Sequence, residues 1–64
     1  MKITEIAVTD ERGEQHTLRC RKGLQMDENE HGTLFISTHP EVYPSRALVF
    51  PEGRYICYRL TRED

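Results

Sequence analysis

The chain has 64 residues and a formal net charge of −2, because nine lysines and arginines stand against 11 aspartates and glutamates. Its 36% hydrophobic and 31% charged residues are typical of a folded protein, so we predict one domain over residues 1–64 with no membrane partner. The N-terminal residues contain no apolar run of the signal-peptide type, which predicts a cytoplasmic location.

The first two predicted elements are strands. Residues 3–9 are rich in β-branched types and end at the polar residues 10–13, which predicts a hairpin whose Gly13 has positive φ. Apolar and polar side chains alternate through residues 15–26, which predicts a half-buried strand. Its apolar parity comprises His16, Leu18, Cys20, Leu24 and Met26. Gly23 interrupts the strand and predicts a bulge or a sharp bend there.

An acidic loop over residues 27–32 precedes a third predicted strand, residues 33–38. Phe35 has the opposite parity to its apolar neighbours, so two alternatives stay open. Either both faces of this strand are covered, or Phe35 is exposed and available to a partner. In residues 39–44 the two prolines allow at most one short helical turn.

Residues 46–50 and 54–61 are two further predicted strands. They flank Pro51-Glu52-Gly53, a proline followed by a glycine two residues later, which predicts that the two strands form a hairpin. The fold class is therefore all-β with at most one short helical turn. We expect a five-stranded small barrel or a strongly bent antiparallel sheet, which resembles the general layout of SH3-like barrels and, less closely, a truncated OB barrel.

Enzymatic and metal chemistry find little support in the sequence. Cys20 and Cys57 match no zinc, haem or redox spacing, so we expect them to be reduced thiols in the core. Both cysteines lie in strand patterns flanked by bulky residues, so we expect buried, unreactive thiols, and the chain carries no phosphate-loop, dinucleotide or hydrolase motif. We predict no catalytic residues, no metal and no cofactor.

A basic and aromatic surface makes nucleic acid an alternative partner. Small β-barrels bind single-stranded RNA or DNA through cationic grooves with exposed aromatic rings. The candidate residues are Arg19, Arg21 and Lys22 on the second strand and Arg54, Tyr55 and Arg59 on the last. They form one face only if these two strands are neighbours, and the net negative charge opposes such binding.

A protein partner needs less special chemistry and is the leading prediction, because interfaces are enriched in tyrosine, phenylalanine and arginine. The candidate contacts are Phe35, Val42, Tyr43 and Arg46. The competing structural explanation is that Val42 and Tyr43 cover one end of the barrel. An unpaired edge strand could also add to a foreign sheet or to a second copy, and a domain this small favours such association.

Overall fold

The computed structural model describes residues 2–63 and shows five antiparallel strands in one sheet, as the sequence predicted. The strands are β1 (Lys2–Asp10), β2 (Gln15–Glu28), β3 (Leu34–Thr38), β4 (Ala47–Phe50) and β5 (Tyr55–Glu63). Their order across the sheet is β4-β3-β2-β1-β5. Between residues 2 and 63 there is no helix, and hence none that could cross a membrane. At the two prolines, a single turn closes when Val42 N donates to the His39 carbonyl at 2.9 Å.

Strand β2 bends at the place that Gly23 predicted. Two steps along β1, from Glu5 to Ile3, correspond to five steps along β2, from Arg19 to Leu24, so β2 holds three more residues than β1 between these two pairs. Gly23 has a φ of +115°, a conformation that most other residues avoid.

One aromatic contact shows how far the bend goes. Phe50 lies opposite Leu34, which lies opposite Glu28 at the end of β2. The Phe50 ring is nevertheless 5.7 Å from the ring of His16, at the start of the same strand. Twelve residues of straight strand would separate these points by about 40 Å, whereas the longest dimension of the molecule is 30 Å. The sheet therefore folds over itself into two layers.

The core lies between those layers. It consists of Ile6, Val8 and Leu18 from one layer and Leu24, Leu34, Ile36 and Phe50 from the other. Full burial of each such side chain contributes about 1.5–3 kcal/mol. The predicted parity of β2 is confirmed, because the apolar set is buried or half-buried and the opposite parity is exposed. Cys20 packs against the core, but Cys57 is exposed, so its predicted core position was wrong.

The predicted hairpin at residues 51–53 was also wrong in its pairing. A turn does form there, since Arg54 N donates to the Pro51 carbonyl at 3.0 Å and Gly53 has a φ of +79°. The flanking strands, however, lie at opposite edges of the sheet. No ladder joins β4 to β5 in the described part of the chain, and the sheet is not closed into a barrel.

The connection between β4 and β5 instead meets the two hairpin loops. Arg54 Nη1 donates to Glu11 Oε1 at 3.0 Å in the first loop. The Tyr55 hydroxyl donates to the Gly32 carbonyl at 3.1 Å in the second. Three connections thus gather at one end of the molecule.

A bulge at Ile56 reverses the faces of β5 near its start. Thr9 pairs with Cys57 while Asp10 pairs with Tyr55, so Ile56 is an extra residue in the register and is 65% exposed. Tyr55 therefore turns toward the core, where its ring stacks on Tyr58 with centroids 6.5 Å apart. The bulge shifts the alternation by one residue, so Tyr55 and Arg59 lie on opposite faces, although strict alternation along the sequence would place them on the same face.

Candidate protein-binding surface

Two large apolar side chains lie side by side on the outward face of β3 and β4. Phe35 and Val49 are directly opposite each other in the β3–β4 register. Their exposed fractions are 41% and 54%. Of the two alternatives that the sequence left open for Phe35, the structure shows the exposed one.

The alternation of the two strands explains this placement. Leu34 and Ile36 turn inward to the core, so Phe35 between them must point outward. In β4, Leu48 and Phe50 pack inward and Val49 points out between them. Val49 was not among the contacts predicted from the sequence. The signal that could have identified Val49 is that this short strand is apolar on both faces. In so thin a sheet only one face of an edge strand can be covered by the core, so an apolar residue on the other face must be exposed.

Strand β4 is also an open edge. In the described residues it pairs with β3 alone. The ladder extends by one residue, because Thr38 N donates to the Arg46 carbonyl at 2.9 Å and Arg46 N donates to Thr38 Oγ1 at 3.0 Å. The predicted contact Arg46 therefore stands at the start of the edge, with its side chain exposed.

The predicted contacts Val42 and Tyr43 differ in their surroundings. Val42 is half-buried, whereas Tyr43 is 96% exposed. A tyrosine that covers the end of a core would lose most of its accessible surface. The explanation of Tyr43 as a cover over the core is therefore wrong, and its ring is available to a partner.

The predicted basic face is divided in the structure. Strand β1 lies between β2 and β5, so the two basic strands are not neighbours as that prediction required. Arg19 Nε donates to Glu5 Oε2 at 2.8 Å, and Arg54 is bound to Glu11. These ion pairs neutralise two of the six predicted contacts.

The other four differ among themselves. Tyr55 is half-buried against the core, and both its burial and the nearby Glu28 carboxylate raise the pKa of its hydroxyl. Lys22 is exposed. Arg59 lies on the outward face, opposite Ala7 of β1. Arg21 lines a shallow groove of about 230 Å³. The groove is lined by Thr4, Glu5, Arg19, Cys20, Arg21, Thr61 and Glu63, so its charges are of both signs.

A cluster in the first hairpin contains groups that can ligate a metal. Asp10, Glu14 and His16 bring three ligand atoms within 4.8 Å of one another. His16 Nε2 donates to Asp10 Oδ2 at 2.8 Å, and this bond holds the pKa of the Asp10 carboxyl below its ordinary value. This hydrogen bond joins the end of β1 to the start of β2.

We found no match for this chain among models of protein families, curated proteins or solved structures.

Proposed function

We propose that this domain is a small non-enzymatic module that binds a protein partner at the β4 edge. The observation that carries the proposal is the Phe35–Val49 pair, two exposed apolar side chains in contact register beside an open strand. A partner segment in extended conformation can add to β4 through backbone hydrogen bonds while its side chains cover the apolar pair.

The surroundings of the pair fit such a contact. Asp27 of β2 lies opposite Phe35 on the same face, and Arg46 lies at the start of the edge. Charges therefore flank the apolar centre, and interfaces commonly have this arrangement of a desolvated centre and a polar rim. Aromatic anchors such as Phe35 and Tyr43 contribute most when a partner excludes water from them.

Two finer expectations belong to the same proposal. The strand order and the fold-over of β2 support the SH3-like layout. Cys20 and Cys57 are free thiols, which supports a reducing, cytoplasmic location.

The experiment is affinity capture from nuclease-treated lysate with wild type and three variants. We expect wild type to retain a stoichiometric companion that Phe35→Ser and Val49→Ser lose. Ile56→Ser is the matched control, because Ile56 is an apolar residue on the opposite edge and is even more exposed than Phe35 and Val49. Urea unfolding of all variants shows whether they remain folded, since surface changes usually shift stability by about 0.5 kcal/mol or less.

Two results would contradict the proposal. One is a companion that all variants bind as well as wild type does. The other is a purified protein that captures only itself from every lysate tested, which would move the function toward self-assembly.

Single-stranded nucleic acid is a second candidate because Arg19 and Arg21 line one groove. If it is the ligand, oligonucleotide binding falls steeply with added salt, since phosphate contacts release counterions. Arg21→Glu should then weaken binding more than Arg54→Glu, because Arg54 is already bound to Glu11. Binding that is absent or indifferent to salt eliminates this candidate.

A further inference from the structure

We propose that β5 also pairs with β5 of a second copy of this chain, antiparallel and centred on Thr61, to join two five-stranded sheets into one. This goes beyond the proposed function, which uses the opposite edge of the sheet. The occupant, the register and the contacts all follow from the residues of β5.

The two open edges differ in length and protection. Strand β4 has four residues, and prolines 44 and 51 stand near its two ends. Strand β5 has nine residues and no proline, and after the bulge at Ile56 its residues 57–61 run in regular register with β1. Among residues 2–63, no strand other than β1 pairs with it. Long, regular edges of this kind add readily to another strand unless shortness, proline or a bulge prevents it.

The backbone of β5 limits the registers that can form. The Thr61 carbonyl points toward β1, where Thr4 Oγ1 lies 3.5 Å away. Because neighbouring residues of a strand direct their backbone groups to opposite sides, Leu60 and Arg62 direct theirs to the open edge. Centring the pair on Thr61 places Leu60 of each copy opposite Arg62 of the other, so that both exchange backbone hydrogen bonds.

Charge then selects among the allowed registers. Centring on Thr61 places Arg59 opposite Glu63 twice, on the outward face and in the positions where opposite side chains come closest. Centring on Arg59 would oppose two guanidinium groups, and centring on Leu60 would oppose Arg59 to Thr61. Among the described residues neither Arg59 nor Glu63 has an ion-pair partner within its own chain, so both charges are available.

The inward face of the proposed pair is also complementary. Leu60 is only half-buried in the single chain. The aliphatic stem of Arg62 from the other copy would lie across it while the guanidinium stays in water. A second copy thereby covers apolar surface that a core of this size leaves open.

The test is a charge reversal measured by sedimentation equilibrium over a concentration series that reaches millimolar. We expect wild type to approach twice the chain mass. Arg59→Glu and Glu63→Arg should each weaken association about tenfold, because two attractive cross-strand pairs become repulsive. The double variant R59E/E63R restores both pairs in a symmetric dimer, so it should recover wild-type association. Arg12→Glu, in the first hairpin loop, is the matched control and should change nothing.

A disulfide tests the register by itself. In a background without the two native thiols, Cys20→Ser and Cys57→Ser, Thr61→Cys puts two thiols at the centre of the pair with Cα atoms about 4.5 Å apart, a separation that a disulfide spans. Mild oxidation should give a covalent dimer, while Thr17→Cys on exposed β2 should not. A monomer at every concentration overturns the proposal, as does a dimer that R59E/E63R fails to recover. Binding of a foreign partner at β4 is tested independently of dimerisation at β5, because Arg59→Glu leaves Phe35 and Val49 unchanged.

Discussion

Two hairpin loops of this domain use one backbone design with different chemistry. In the first, Asp10 Oδ1 accepts hydrogen bonds from the backbone N–H groups of Arg12 and Glu14 at 2.8 and 2.9 Å. In the second, Asn29 Oδ1 accepts the same bonds from His31 and Thr33 at 2.9 and 3.0 Å.

The loop glycines match as well, with φ of +85° at Gly13 and +84° at Gly32. The turn therefore needs one side-chain oxygen and one glycine. A negative charge is not part of that requirement, because Asn29 supplies the oxygen without it. The charge of Asp10 serves another purpose, which is the bond from its second oxygen to His16. The comparison separates what the backbone requires from what the particular side chain adds.

The largest expected effect tests the shared part of the design. Gly13→Ala and Gly32→Ala should each lower the free energy of unfolding by about 1–2 kcal/mol, because alanine pays a steric cost at positive φ. The added methyl meets nothing within 4 Å at Gly13 and the Glu52 side chain at 3.4 Å at Gly32, an ordinary contact. Urea unfolding should show equal losses. A loss at only one site would mean that the two loops are not equivalent.

Removing the capping oxygen should have the next largest effect. Asn29→Ala should lower the free energy of unfolding by about 1 kcal/mol, because it removes the acceptor of two exposed backbone bonds. Asp10→Ala should cost more than Asn29→Ala, since it also breaks the bond from His16. The same urea experiment measures both. An equal or smaller loss for Asp10→Ala would show that the His16 bond contributes nothing to stability.

Exchanging the two capping residues should separate the effect of the negative charge on stability from the effect of the accepting oxygen. Asp10→Asn keeps the Oδ1 acceptor, so it should destabilise less than Asp10→Ala at neutral pH. Asn29→Asp should be slightly destabilising, because Glu28 and Glu30 lie next to it in the chain and residues 27–33 contain no lysine or arginine. Chemical unfolding at neutral pH compares the four proteins. If Asn29→Asp raised the free energy of unfolding, a negative charge would stabilise this loop and the interpretation would be contradicted.

The smallest effect is the pH dependence of the Asp10 contribution. The pKa of Asp10 is lowered in the folded state, chiefly by the hydrogen bond from His16. Its stabilising contribution is therefore complete above the unfolded pKa of about 3.9 and is lost as pH falls through the lower folded value. The stability difference between wild type and Asp10→Asn should shrink over that acidic range. In a His16→Gln background the shrinkage should be smaller, and an unchanged profile there would remove His16 as the cause.

Much of the local structure followed from the sequence. β-Branched and apolar runs bounded by turn residues located the five strands. Alternation of period two gave the buried parity of β2, because each residue's face depends only on its neighbours along the strand. Gly23 located the bend and Gly13 the first turn, since positive φ excludes most other residues. Phe35, Tyr43 and Arg46 were named as candidate contacts from residue type and position, with a covered position left open for Phe35 and Tyr43.

Only the tertiary structure decided which strands pair. The turn at residues 51–54 was correct as a turn, but the strands it connects lie at opposite edges of the sheet. Beyond the bend in β2 the sheet continues through β3 to β4, whereas the start of β2 pairs with β1, which pairs with β5. The bulge at Ile56 turned Tyr55 inward, and the thinness of the core left Val49 outside. Alternation is a local property of a strand, whereas its partner is set by contacts distant in the chain, and no pattern within one segment encodes them.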